Sequence, residues 1–90
     1  MKLFSNEKKL LTVEKQLEKK QAELRVALEQ IMALQDELDR ARIDALVSET
    51  PLAEQIWQEH QRNMEVYLKD KSDLELQIIE LKKRYTELRS

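Results

Sequence analysis

The sequence predicts an all-α fold, an antiparallel two-helix hairpin with coiled-coil packing. Three observations predict it: two ladders of residues at seven-residue spacing, a slip in phase between the ladders, and a single proline, Pro51, at the slip. The chain has no glycine, and 38% of its residues are charged against 4% aromatic, a composition typical of long helices and coiled coils. The regular apolar spacing and the 41% hydrophobic content disfavour a disordered chain.

The first ladder runs through the first half of the chain and is mostly apolar. A narrow stripe of this kind lies along one face of a helix and requires a partner helix to bury it. We expect this helix to cover roughly residues 5–48. Its a positions are Leu10, Leu17, Leu24, Ile31, Leu38 and Ala45, and its d positions are Val13, Lys20, Ala27, Leu34 and Ala41.

The second ladder has the same spacing in the second half of the chain. We expect a second helix over roughly residues 51–88. The two series of this ladder alternate at intervals of three and four residues, which is the pattern of a coiled-coil seam. Its a positions are Trp57, Met64, Lys71, Ile78 and Tyr85, and its d positions are Ala53, His60, Tyr67, Leu74, Leu81 and Leu88.

Residues 48–50 are predicted to form the turn between the helices. The ladders differ in phase, so one straight helix would rotate its apolar face away from itself at this point. Proline costs about 3 kcal/mol inside a helix and almost nothing at the first helical position, which favours Pro51 as the start of the second helix. Thr50 is then its N-cap, because its hydroxyl can accept a hydrogen bond from a free backbone N–H. A short connection favours antiparallel helices, and we expect one domain over residues 1–90.

Facing residues in this hairpin should have numbers that sum to about 99 if the turn is centred near residue 49 or 50. Trp57 would then face Ala41 and Ala45, a large ring against two small side chains, as efficient packing requires. The same pairing places the acidic middle third of the sequence, net charge −5, at the turn. It brings the two slightly basic ends together at the open end of the hairpin.

Several apolar residues lie outside the ladders, and some are four residues apart, as in Leu28–Met32 and Leu52–Ile56. Such pairs widen the apolar face beyond what one hairpin buries. We therefore expect self-association, most simply a homodimer of hairpins that forms a four-helix bundle, or burial of this face against a different protein. Trp57, Met64 and Tyr67 belong either to the core or to a binding hot spot. The predicted partner or oligomer interface consists of Leu28, Met32, Leu52, Ile56, Trp57, Met64 and Tyr67.

Three polar residues interrupt the seam: Lys20, His60 and Lys71. Polar residues at such positions commonly fix register or oligomeric state, and the lysines can extend outward to Glu23 or Glu75. His60 is expected to bond to Asp39 or water at the edge of the seam. A pH switch is the alternative role for this histidine.

The sequence predicts no enzyme, no cofactor and no metal site. It has no glycine-rich phosphate loop and no nucleophile–histidine–acid set, and one histidine without cysteine does not make a zinc site. The longest uncharged run, Gln30 to Gln35, is far shorter than the ~20 residues of a membrane span. The lack of cysteine fits a reducing compartment, and we expect a cytoplasmic protein.

The expected function is protein–protein interaction, as an adaptor, a small assembly or secretion-type chaperone, or a structural subunit. The expected size and shape are similar to those of small helical chaperones and adaptors of bacterial secretion systems, a similarity of architecture alone. The alternative is a nucleic-acid-associated regulator that uses the basic open end, where Lys8-Lys9, Lys19-Lys20 and Lys82-Lys83-Arg84 lie. A fragment of a longer coiled coil is a third possibility, disfavoured by the starting Met and the complementary ladders.

Overall fold

The computed structural model describes residues 2–90, with side chains described from residue 6 onward. It contains two α-helices, α1 (Lys2–Ser48) and α2 (Pro51–Arg89), which pack against each other as a hairpin. Within residues 2–90 there is no β-strand. The predicted all-α hairpin is therefore confirmed. Helix α1 begins near Lys2, before the predicted residue 5, because no proline or glycine interrupts the helix there. Met1, part of the predicted domain range, lies outside the described residues.

Burial follows the two ladders. Every ladder position in α1 and α2 is buried or half-buried, and outside the ladders only Gln21, Ala22 and Glu23 are not exposed. The six buried apolar residues among those described are all ladder residues: Val13, Ala27, Ala41, Ala45, Met64 and Ile78. The seven-residue spacing in the sequence thus becomes the contact face of each helix, as coiled-coil geometry requires.

The chain divides into two compact units. The first, which we call the terminal unit, comprises Met1–Arg25 and Ser72–Ser90, and the second, the turn unit, comprises Val26–Lys71. Each unit contains a segment of α1 and a segment of α2. We describe the two units separately below.

From residue 6 onward, the buried residues of the terminal unit are Val13 and Ile78, at 2% and 7% exposure. Tyr85 on α2 donates a hydrogen bond from its hydroxyl to Glu14 Oε1 on α1, at 3.0 Å. The two residue numbers sum to 99, the value that the predicted antiparallel pairing requires. Arg89 lies over the ring of Tyr85, with 5.6 Å from its guanidinium carbon to the ring centroid. The Tyr85–Glu14 bond therefore joins the two helices of this unit in the predicted register.

In the turn unit, the buried residues are mostly alanine, with Met64 as the one long side chain among them. Small residues on α1 leave space for large ones on α2, and Trp57 and Tyr67 are half-buried in the same ladder. Within the described part of this unit no buried side-chain polar atom lacks a hydrogen-bond partner. The buried part of the seam in this unit is therefore apolar, and the polar ladder residues His60 and Lys71 are only half-buried.

Candidate interaction surfaces

Thirteen large apolar side chains in the described part of the chain are exposed to solvent, from 40% for Leu28 to 79% for Val47. All of them lie outside the two ladders, where the hairpin cannot bury them. Exposed apolar area of this extent marks interaction surfaces when it is contiguous. The residues are Leu11, Val26, Leu28, Met32, Ile43, Leu46, Val47, Leu52, Ile56, Val66, Leu68, Leu76 and Ile79.

The predicted interface residues fall into two groups. Leu28, Met32, Leu52 and Ile56 are exposed and available to a partner. Trp57 and Tyr67 are half-buried and Met64 is 5% exposed, so all three face the seam within the hairpin. A partner would reach Met64 only if α1 and α2 separated. We therefore treat the exposed group as the candidate surface and the seam group as structural.

The two units differ in both apolar exposure and charge. Ten of the thirteen exposed apolar residues belong to the turn unit and three, Leu11, Leu76 and Ile79, belong to the terminal unit. The turn unit has five Lys or Arg against ten Asp or Glu, a net charge of −5. The terminal unit has eleven Lys or Arg against eight Asp or Glu, a net charge of +3. Apolar exposure and negative charge thus coincide in one unit.

The turn itself is closed by three hydrogen bonds, two within the backbone and one to a side chain. Glu49 has a φ of 51°, a left-handed conformation, and its N–H donates to Ala45 O at 3.1 Å to end α1. Thr50 Oγ1 accepts a hydrogen bond from the Ala53 N–H at 3.2 Å, the geometry of an N-cap. The Thr50 carbonyl accepts from the Glu54 N–H at 3.1 Å, the first bond of α2. Thr50 and Pro51 thus occupy the N-cap and first helical positions.

We call residues 43–56 the turn tip. Five of the exposed apolar side chains lie in this segment, and its charged residues are Asp44, Glu49 and Glu54, with no Lys or Arg. A shallow groove of about 380 Å³ lies in it, between the end of α1 and the start of α2. The groove is lined by Ala45, Leu46, Glu49, Thr50, Pro51 and Glu54.

The polar seam residues lie where the ladders place them, all half-buried. Lys20 Nζ pairs with Glu23 Oε2 at 3.3 Å, so its ammonium leaves the seam for a carboxylate one turn along α1. For His60, no hydrogen bond to Asp39 is present among the described residues; Asp39 Oδ1 accepts from Gln35 Nε2 at 2.9 Å. A groove of about 520 Å³ lies beside Lys20 in the terminal unit, with Leu76 and Leu81 in its lining.

Basic residues of the terminal unit come together in part. Lys8 and Lys9 of α1 and Arg84 of α2 line one groove of about 190 Å³. Arg84 also lines a second groove with Lys83, where Glu80 and Glu87 supply carboxylates. The cations of this end are therefore mixed with acids, as on an ordinary solvated helix face.

Two contributors to the hairpin were not predicted from the sequence. The left-handed Glu49 ends α1 at a position where glycine is the usual residue, and the chain has no glycine to mark it. The Tyr85–Glu14 bond joins a ladder residue to a flanking residue, and the pairing sum of 99 was the only signal for it.

Among the described residues, no group of three His, Asp or Glu side chains comes together as a set of metal ligands. Neither described helix contains an apolar stretch that could cross a membrane. Comparison of the chain with protein-family models, with curated proteins and with solved structures gave no match.

Proposed function

We propose that this chain is a non-enzymatic protein–protein interaction module that acts through an apolar helix face. The observation that carries the proposal is the set of thirteen exposed large apolar side chains outside the seam. Burying apolar area is worth about 25 cal/mol per Å², and a partner protein can supply that burial. An adaptor, a small assembly or secretion-type chaperone, and a structural subunit all share this mechanism. A cytoplasmic location stays a prediction from the sequence.

Self-association is one form of this proposal, as a homodimer of hairpins that forms a four-helix bundle. It is supported by Leu28, Met32 and Leu68 in the turn unit, all exposed. Leu28 and Leu68 occupy e positions, which flank the seam. Under the pairing sum of 99, Leu68 lies level with residue 31, between Leu28 and Met32. The three residues therefore form a candidate strip across both helices.

Analytical ultracentrifugation of the whole chain tests the homodimer. We expect a dimer at micromolar concentration that dissociates when Met32→Glu places a charge in the strip, since an unpaired buried charge is strongly unfavourable. Leu76→Glu, at a similarly exposed position in the terminal unit, is the matched control and should leave the dimer intact. A folded monomer at tens of micromolar would reject self-association, and burial against another protein would be the remaining form.

The interaction function itself is tested by quantitative affinity capture from an extract of the native host. The whole chain is compared with Leu28→Gln and Leu52→Gln, with circular dichroism to show that each variant is folded. We expect the captured partner to be reduced by one of these variants and unchanged by Leu76→Gln. If no captured protein responds to any exposed apolar position, the proposal fails.

A nucleic-acid-associated regulator is the second candidate function. The observation that favours it is the groove lined by Lys8, Lys9 and Arg84, which gathers cations of both helices. Cations in one groove can contact phosphates, and such binding weakens steeply as salt rises. A gel shift with duplex DNA or RNA at low salt should then show retardation that Arg84→Gln reduces. Absence of retardation at low salt rejects this candidate.

A further inference from the structure

We propose that the turn tip, residues 43–56, docks a basic amphipathic helix of another protein. This inference rests on the interaction function proposed above. It adds the site and the chemistry of the partner: an apolar stripe flanked by Lys or Arg.

Exposed apolar side chains are concentrated in the turn tip. Five large ones lie within this segment, with exposures of 41–79%. They come from the last turns of α1 and the first turns of α2. The two-residue connection between these helices holds both sets at the same end of the turn unit. The residues are Ile43, Leu46, Val47, Leu52 and Ile56.

The negative charge of the turn tip favours a basic partner. Asp44, Glu49 and Glu54 are acidic, and the turn tip contains no Lys or Arg. The last turn of α1 also contains no basic residue, so no side chain there offsets the partial negative charge of its terminal carbonyl groups. At the start of α2, by contrast, Glu54 already lies in the first turn and offsets the positive end of that helix. The net charge of the turn tip is therefore negative, and the carbonyl groups at the end of α1 add to it.

The groove in the turn tip combines apolar side chains and carboxylates at one place. Leu46 and Pro51 give it apolar walls, and Glu49 and Glu54 place carboxylates beside them. A Leu or Ile of a partner helix would contact the walls while a Lys or Arg one turn away would reach a carboxylate. Helices that dock in grooves present their anchors at this spacing. Complementary charge at the rim would set orientation and speed association.

A second copy of this chain matches the turn tip less well. Another turn tip has the same negative charge and would be repelled. The terminal unit has the complementary net charge of +3, but eight acids are mixed with its cations, and from residue 6 onward it exposes three large apolar side chains. Neither the turn tip nor the terminal unit of a second copy satisfies the apolar and the charge requirement together, and the Leu28–Met32–Leu68 strip lies outside the turn tip. We therefore assign the turn tip to a different protein.

Fluorescence anisotropy with a labelled synthetic helix tests the docking on the whole chain. The probe has about three heptads, with Leu at a and d and Lys at e and g, and the control probe has Glu in place of Lys. We expect the Lys probe to bind at least about tenfold more tightly than the Glu probe, and its affinity to fall as salt rises.

Matched variants locate the binding. Leu52→Gln and Leu76→Gln change the same residue type at similar exposure, 66% and 61%, in the turn tip and the terminal unit. We expect Leu52→Gln to weaken the Lys probe several-fold and Leu76→Gln to leave it unchanged. Glu54→Gln should weaken it and Glu80→Gln, in the terminal unit, should not. Val47→Gln repeats the apolar test on α1 in case the change at residue 52 alters the fold.

Three results overturn the docking proposal: no binding of the Lys probe up to about 100 μM, equal binding of both probes, or equal loss with Leu52→Gln and Leu76→Gln. The ultracentrifugation and affinity-capture experiments described above are carried out without the probe, so that they test the interaction function independently of it. Failure of the docking proposal with those results intact leaves the interaction function standing. If self-association and capture both fail, the interaction function is rejected, and the docking that rests on it is rejected with it.

Discussion

Two methionines in the turn unit provide a direct test of the seam. Met64 is 5% exposed and Met32 is 72% exposed, so the same substitution, Met→Ala, samples the inside and the outside of one unit. Truncating a buried methionine to alanine costs about 2–5 kcal/mol in a closed core. A helix pair is open to solvent along both flanks, which lets water and neighbouring side chains fill part of the space. We therefore expect Met64→Ala to lower the free energy of unfolding by about 2 kcal/mol.

Met32→Ala should change the free energy of unfolding by less than about 0.5 kcal/mol, because the side chain loses little contact and alanine is a good helix former. The assay is urea unfolding at low micromolar concentration, followed by far-UV circular dichroism. With a urea dependence of about 1 kcal/mol per M, Met64→Ala shifts the midpoint by about 2 M. Repeating the experiment at higher concentration separates folding from self-association. A loss for Met32→Ala that grows with concentration would place this residue in an interface.

The reasoning is refuted if the two variants lose the same stability in dilute solution, or if Met64→Ala costs less than about 0.5 kcal/mol. Either result would mean that the a and d residues are not the contact face of the helices. The fluorescence of Trp57, the single tryptophan, gives a second measure of unfolding in the same samples. Its midpoint should agree with that of circular dichroism if the turn unit unfolds together with the rest of the helices.

Four further predictions concern single positions. Glu49→Gly should stabilise the protein by about 1 kcal/mol in thermal or urea unfolding, because glycine adopts the left-handed conformation at φ 51° without a steric penalty; a loss would contradict the turn geometry. Thr50→Ala should cost about 1 kcal/mol through loss of the N-cap, whereas Thr12→Ala, on an exposed face of α1, should change stability by less than about 0.5 kcal/mol. Tyr85→Phe should cost about 0.5–1 kcal/mol in urea unfolding through loss of its interhelical hydrogen bond, and no loss would show that this bond is not formed in solution. Lys20→Leu should stabilise the hairpin by about 1 kcal/mol through added apolar burial, since the partly buried Lys20–Glu23 pair within α1 that it removes contributes less than this; sedimentation would show whether register or oligomeric state changes with it.

The seam and the turn were accessible from the sequence because both depend on local rules. A residue every seven positions fixes which side of a helix is buried, whatever lies beyond it, and burial in the structure follows that spacing through both helices. The break at Pro51 follows from the chemistry of one residue, which lacks an N–H and has a fixed φ. Thr50 before it has the hydroxyl that an N-cap requires, and that hydroxyl accepts the Ala53 N–H.

Other features depend on groups distant in sequence or on unusual backbone conformations. The Tyr85–Glu14 bond requires the register to be known to within one residue, and the ladders fix it only to about that precision. The left-handed Glu49 has no sequence signature, because glutamate seldom adopts this conformation and glycine is absent. By contrast, the apolar residues outside the ladders were accessible from the sequence, and ten of the thirteen that are exposed lie within the continuous segment Val26–Lys71.

The separation of seam and surface has a consequence for how this protein can be dissected. The buried contacts that stabilise the hairpin are made by residues at the a and d positions. The exposed apolar residues and the acids of the turn tip occupy the remaining positions of the same helices. A substitution at Leu28 or Leu52 therefore removes exposed apolar area, the area that we propose for binding, without opening the hairpin. A substitution at Met64 or Val13 should weaken the hairpin and leave the outer surface unchanged. In larger folds a single side chain often serves both purposes, and loss of function then cannot be distinguished from loss of structure. Here the heptad position of a residue predicts which of the two a mutation changes.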